Sequence, residues 1–429
     1  MKAIGIDIGT TSICGVLINT SNGKLIKKCE LPNDTWIQSK NEWEKIQNPD
    51  KIYEKVLSIA DELYDISVIS IGFTGQMHGI VYLDSDGNAV SPLYTWQDGR
   101  GNCKYNDTTY AKSLNSHTGY GYVTHTYNKI NNLIPDNASV FCTIHDYAAM
   151  KLAGAKKPLV HTSDAASFGQ FDIKTGKFTV SDSFLPDVTN DFSKLGEYKQ
   201  APVYVAIGDN QASFIGSGGD SKTLLINVGT GSQVSISSDN PVECEGIEVR
   251  PYTGDNCLMV GCSLCGGKSY ALLERFFSDT YTMLTGEKCD SIYDKMNDAA
   301  NRIPNTSLKT DNRFMGTREN PEIRGSITNI SVENFNPENM VRSMIDAMAD
   351  ELYDMFAKMN CKYSNVIASG NGIRKNPALK AALEKKFNCE IKIPSFKEEA
   401  SYGAALFSTV GCGMYLNITY AQKIINYGG

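Results

Sequence analysis

At 429 residues the chain is too long for one ordinary hydrophobic core, and at about 150 residues per domain it divides into roughly two or three. Hydrophobic residues make up 41% and charged residues 21%, globular proportions that exclude disordered, collagen-like and coiled-coil classes. The 41 basic and 48 acidic residues leave a net charge of -7 spread without long runs, which argues against a nucleic-acid or anionic-lipid surface.

The opening Met1-Lys2-Ala3-Ile4-Gly5-Ile6-Asp7 reaches a carboxylate too early for a signal peptide, and no uncharged apolar stretch approaches the ~20 residues of a bilayer crossing. The expectation is a cytoplasmic protein with no membrane contact. Its 12 cysteines then read as reduced thiols; Cys262 and Cys265, with Cys257 nearby, lack a second ligand pair at zinc-site spacing.

Ala3 to Asp7 is an apolar strand, Gly9-Thr10-Thr11-Ser12 turns the chain, and Ile13 to Ile18 runs on in β-branched and small residues. Ser21-Asn22-Gly23 reverses it again before Leu25-Ile26, giving a three-strand meander. Asn48-Pro49 then caps and opens a helix whose apolar residues Ile52, Val56, Ile59, Ala60 and Leu63 recur every three or four positions. Val68 to Phe73 follows as a buried strand, an alternation that marks the α/β class.

Ile6-Asp7-Ile8-Gly9-Thr10-Thr11-Ser12 is echoed by Ile226-Asn227-Val228-Gly229-Thr230-Gly231-Ser232, each copy between strand-like runs, so the chain reads as a duplication. The second copy leads to a strand at Leu258 to Val260 and a helix from about Ser269 to Phe277. A long helix opens at Asn336-Pro337, a strand runs from Asn365 to Ser369, and a last helix is capped at Asn376-Pro377. Gly216-Ser217-Gly218-Gly219 punctuates the halves and sets the expected domains at 1–218 and 219–429.

Gly-Thr turns between strands present backbone N–H groups and hydroxyls to phosphate, and two such loops suit one polyphosphate. Asp7 stands where the second copy has Asn227, so one side alone supplies a carboxylate, as a single Mg²⁺ bridging phosphate oxygens requires. Ser369-Gly370-Asn371-Gly372 is a strand-to-helix turn of the kind that lets a nucleotide approach the backbone. Gly267-Lys268-Ser269 is not a P-loop, because Cys262 occupies the position of the required glycine. Asp209 ends an apolar run; spacing alone reads it as a helix N-cap, and the neighbouring motifs make it a carboxylate able to accept a proton from a hydroxyl attacking a γ-phosphate. Gln76-Met77-His78 and Trp96-Gln97-Asp98-Gly99-Arg100 mix polar groups with large apolar surface, as carbohydrate sites do. All 5 histidines, His78, His117, His125, His145 and His161, fall in the first half, and each by itself reads as structural.

The paired loops, Gly208-Asp209-Asn210-Gln211, and Ser369-Gly370-Asn371-Gly372 with Asn376 resemble the FGGY carbohydrate kinases of the actin-like ATPase superfamily, in the family's order from Ala3 to about Leu406. Gly75-Gln76-Met77-His78-Gly79 is shared by xylulokinases and sedoheptulokinases, whereas Thr95 to Arg100 and Thr143-Ile144-His145-Asp146-Tyr147 look more like sedoheptulokinases. Xylulokinases usually carry Trp-Asn-Asp and Lys-Asp-Tyr at these two places. The chain departs from the common pattern at Asn371 and Gly231, and it is short for the family.

The resemblance implies two ribonuclease-H-like domains flanking a central cleft, with the sugar held mainly by the first and ATP mainly by the second. Asp209 matches the catalytic base, and Asp7 with Asp209 matches the Mg²⁺ carboxylates. Gly9, Thr10, Thr11, Gly229 and Thr230 match phosphate contacts. Gly266 or Gly267, with Gly370, Asn371 and Asn376, matches the adenosine side, and Gln76, Met77, His78, Trp96, Asp98, Arg100 and Asp209 match sugar positions. The implied activity is ATP-dependent phosphorylation of a terminal ketose hydroxyl, sedoheptulose first, with xylulose or another sugar or polyol as the alternative. The small-molecule sugar is the expected partner; a homodimer is left open. Two other classes are a sugar-sensing ATP-binding protein without transfer, against which both carboxylates count, and a chaperone-like or filament-forming ATPase, against which the cluster from Gln76 to Arg100 counts.

Overall fold

The computed structural model describes residues 1–317 and 320–428. They form two compact units: 1–218, 250–256 and 398–426 make the first, and 219–249, 257–317, 320–397 and 427–428 fall in the second.

In the first unit the predicted meander is β1 (Lys2–Ile8), β2 (Ser12–Asn19) and β3 (Leu25–Pro32), joined antiparallel in sequence. α1 (Pro49–Leu63) starts where expected: Asn48 accepts the Lys51 N–H at 3.0 Å, and Ile52, Val56, Ile59, Ala60 and Leu63 are its buried face. The crossover returns the chain as β4 (Val68–Gly75), parallel to β1. Two short helices follow, α2 (Ile144–Leu152) and α3 (Thr162–Ser167). The sheet is completed by β5 (Lys194–Tyr198), β6 (Ala201–Tyr204) and β7 (Ile207–Gly208), in the order β5-β6-β4-β1-β2-β3, with β7 also on β4. β7 passes directly into α4 (Asp209–Ser217), which stops at Gly218 with φ of 89°.

The second unit repeats this plan. β8 (Thr223–Val228) and β9 (Ser232–Ser238) form the hairpin around the second Gly-Thr turn. β10 (Ile247–Pro251) and β11 (Cys257–Ser263) follow, then α5 (Gly266–Thr285), α6 (Tyr293–Arg302) and α7 (Pro337–Lys358). β12 (Asn365–Ser369) is parallel to β8 as β4 is to β1, and β11 lies antiparallel on β9 as β3 lies on β2. The duplication is therefore one of topology. α8 (Pro377–Phe387) is capped by Asn376, whose side chain accepts the Leu379 N–H at 2.9 Å, and β13 (Ile391–Pro394) extends the sheet. α5 is longer than predicted at both ends. It opens on Gly266, and its extension runs to Thr285, where exposed Met283 and Leu284 carry no core periodicity to be read.

The chain then returns to the first unit as α9 (Glu399–Gly411), packed on α4, β1 and β4, and closes with β14 (Tyr427–Gly428) on β13 in the second. Glycine at 403 is required by this contact: a Cβ there would overlap the backbone carbonyl of Ala212 in α4. Close approach of the two helices fixes the segment that carries Asp209.

Candidate active site

In the first unit three parallel strands end together. Asp7 pairs with Thr74 of β4, Ile8 with Gly75, and Gly208 of β7 with Gly75 from the other side, so Asp7 and Asp209 flank the end of β4 at the carboxyl edge of the sheet. Ligands of open α/β sheets sit at that edge. Asp209 is the first residue of α4 and not its cap: Gly208 takes the N-cap position, and the Asp209 carboxylate accepts from the Asn210 side chain at 2.8 Å. The N-cap reading is thus corrected, and the carboxylate is left to the site.

Asp7 keeps some accessible surface, yet burial, reinforced by the charge of Asp209, raises its carboxyl to about 7; His145 works in the opposite sense. Burial also raises Asp209, and the Arg250 and His145 charges and the Asn210 bonds offset part of that rise. Two carboxylates that disfavour each other's charge are the donor set a hard divalent cation takes up.

Below them lies a group that residue-by-residue reading left as structural. His145 of α2 and Asp164 of α3 are fully buried, with Nε2 3.0 Å from the Asp164 carboxylate. Asp146, held by Thr143 at 2.7 Å, completes a set of ligand atoms within 4.8 Å of one another. Burial opposes a charged His145 ring, but Asp164, then Asp146 and Asp209, outweigh it and raise its pKa to about 9.

The expected sugar residues divide into two sets. Trp96, 46% exposed, donates from Nε1 to Thr10 Oγ1 at 2.9 Å, while the Gln76 amide donates to Gln47 at 2.9 Å, so this cluster is bonded to the first Gly-Thr turn. Buried Met77 covers Gly208, where a Cβ would lie 2.7 Å from its sulfur. His78 has φ of 71°, rare for a residue with a side chain. Its backbone N–H donates to Ser167 Oγ at 3.1 Å, its Nδ1 meets the Ser167 carbonyl at 2.8 Å, and its ring stacks on Tyr120 at 4.3 Å. Asp98 and Arg100 are corrections. Both are fully buried: Arg100 bonds Asp98 at 2.6 Å, Glu44 at 3.0 Å and Asn128, and its guanidinium lies 4.1 Å from the Tyr94 ring centre. Asp98 spends its remaining capacity on the Lys45 N–H and the Arg100 backbone. The pair is committed to internal partners and braces the loop that presents Trp96.

In the first turn, Asn33 takes the carbonyls of Gly9 through its side chain and of Thr11 through its backbone N–H, each at 2.8 Å, and Gln47 donates to the Thr10 carbonyl at 3.0 Å. In the second turn Gly267 and Lys268 donate to the carbonyls of Gly229 and Thr230, both at 3.0 Å. Asn227, the counterpart of Asp7, donates to Ser369 at 2.8 Å.

The second unit holds a cavity of about 550 Å³ lined by Val228, Gly267, Tyr270, Asn371, Gly372 and Asn376 among others. Gly370, which precedes Asn371, has φ of 89°, and a Cβ there would lie 2.5 Å from the Val228 carbonyl. Of the two glycines offered at 266 and 267, Gly267 lines the cavity; Gly266 is pressed against the Gly231-Ser232 backbone. Tyr270 and Tyr293, which the sequence did not single out, form one wall with rings 5.9 Å apart, and the Tyr270 hydroxyl donates to Asn297 at 2.8 Å. Apolar ring faces bordered by amides suit a planar base.

Two units of repeated actin-like topology, one with a carboxylate pair and the other with a base-sized cavity, define a phosphotransferase of the actin-like ATPase fold. The FGGY carbohydrate kinase N-terminal domain matches residues 2–223 and the C-terminal domain residues 224–412, so the chain belongs to the FGGY family of carbohydrate kinases. It is 26% identical to human sedoheptulokinase, over 94% of this chain and 96% of that protein, and 24% identical to xylulose kinase of Staphylococcus xylosus, over 95% and 90%. The crystal structure of xylulose kinase from Rhodospirillum rubrum superposes with a TM-score of 0.85 at 18% identity, covering all of this chain and 93% of that one. Among the described residues no helix is long and apolar enough to cross a membrane.

Proposed function

We propose that this carbohydrate kinase transfers the γ-phosphoryl group of ATP to a terminal hydroxyl of a ketose, with sedoheptulose as the first substrate and xylulose as the alternative. The observation that carries the reading is Asp209, free of a capping duty, beside Asp7 at the strand ends. Asp209 accepts the hydroxyl proton as the alcohol oxygen bonds to phosphorus and the bond to the ADP oxygen breaks. Asp7 and Asp209 would hold Mg²⁺, which neutralises charge on the phosphate oxygens. Thr10, Thr11 and the turn at Gly229-Thr230 contact phosphates, the cavity beside Tyr270 holds adenosine, and Gln76, Met77, His78 and Trp96 line the sugar side. The setting is the cytoplasm.

The similarity to human sedoheptulokinase and the sequences Trp96-Gln97-Asp98 and His145-Asp146-Tyr147 support taking sedoheptulose first. The test is coupled ADP release with ATP, Mg²⁺ and a panel of ketoses, polyols and aldoses. Highest kcat/KM on sedoheptulose is expected. Asp209→Asn should lose about 10²- to 10⁴-fold in kcat while nucleotide affinity stays near wild type. Near-wild-type turnover in that variant removes Asp209 from its role, and ADP release indifferent to every sugar removes sugar transfer.

A further inference from the structure

His145, Asp146 and Asp164 are at most 2% exposed, and the transfer chemistry just described employs none of them. Their placement is specific. His145 Nδ1 lies over Gly75, where it would stand 3.1 Å from a Cβ, and Gly75 is the residue paired with Ile8 on one side and Gly208 on the other. The ring therefore sits beneath the backbone that joins the Asp7 and Asp209 strands. Its Nε2 is within ion-pair distance of Asp164 at 3.0 Å, and neither ring nitrogen nor either Asp164 oxygen has an aligned hydrogen-bond partner among the described residues. The residue next to Asp164 holds the other strand end: Ser163 Oγ accepts the Gly208 N–H at 3.0 Å and bonds His161 Nδ1 at 2.9 Å. α3 thus meets the imidazole through the Asp164 ion pair and hydrogen-bonds the residue preceding Asp209.

We propose that His145, paired with Asp164, is a positioning residue that together with Ser163 holds the ends of β1, β4 and β7 and so the placement of the Asp7 and Asp209 carboxylates, a role that rests on Asp209 being the base. The charged groups around it come from every adjoining element: Asp7 from β1, Asp146 from its own helix, Asp164 from α3, Asp209 from α4, with Arg250 acting on Asp209. His161 does not add to them, because burial lowers its pKa to about 4.

Removing one partner strands a buried charge and endangers the fold. The test therefore compares H145Q/D164N, which is neutral at both positions, with H145K, which keeps a cation, and with D209N. Each is assayed by ADP release with ATP, Mg²⁺ and whichever of sedoheptulose or xylulose the wild type accepts, alongside thermal unfolding. The expected result is a folded H145Q/D164N with kcat down about 10²-fold, the cost of a misplaced reacting group, and KM for ATP within about twofold. H145K should recover at least about tenfold of that loss. H145Q/D164N turning over like wild type, a folded H145K no better than the neutral pair, or failure of both H145Q/D164N and H145K to fold would each overturn the positioning role. An active D209N would instead bring down the base assignment, so the two failures are told apart.

Discussion

Asp7 sets catalysis against stability, and the size of the conflict follows from its surroundings. Burial and the neighbouring Asp209 raise its carboxyl from 3.8 to about 7. The folded protein then holds the Asp7 proton more tightly than the unfolded chain does, so the associated stabilisation is complete below about pH 4 and is lost as the pH rises through about 7. That difference of about 3 pH units, at about 1.36 kcal/mol each, sets a ceiling near 4 kcal/mol. Because Asp7 is only partly buried, solvent screening reduces this to about 1–3 kcal/mol. Asp7→Asn removes the charged form and keeps the shape. At pH 8 in chelator it should be more stable than wild type by that amount, a Tm gain of roughly 2–10 °C in a unit of this size, while losing phosphoryl transfer. The gap should shrink toward pH 4, and Mg²⁺ should narrow it at pH 8 by stabilising wild type alone. Calorimetric unfolding of both proteins from pH 4 to pH 8, with and without Mg²⁺, checks the account. An Asp7→Asn protein with no Tm gain at pH 8, or one whose gap from wild type is constant with pH, refutes it.

Arg100→Met leaves the buried Asp98 and Asn128 groups without their partner and should cost about 3–5 kcal/mol, seen as a lower Tm or loss of soluble protein. Wild-type stability combined with a raised sugar KM would restore Arg100 to a sugar-binding position. Asn376→Ala removes the cap of α8 at the wall of the cavity, with an expected loss of about 1 kcal/mol in stability and weaker ADP binding by calorimetry; unchanged ADP affinity would take Asn376 out of the nucleotide site.

The sequence alone determined what is written in local pattern. Asn48-Pro49, Asn336-Pro337 and Asn376-Pro377 start helices because each asparagine oxygen accepts the backbone N–H three residues on, a contact complete within one turn. The echoed Gly-Thr turns and alternating apolar runs likewise marked two copies of one sheet, and the carboxylates at 7 and 209 stood out as strand-end groups. Asp98 and Arg100 were legible as polar residues near the sugar cluster, but not as a brace, since Glu44 and Asn128, which satisfy Arg100, lie far from it in sequence. His145 looked structural because Asp164 meets it only across two helices. Nor does any pattern in Glu399–Gly411 show that a helix after the second sheet belongs with the first; complementary close packing against Ala212 and Gly216 decides that. Caps and strand periods depend on bonds between near neighbours, whereas burial, charge balance and the pairing of distant side chains exist only once the chain has brought them together.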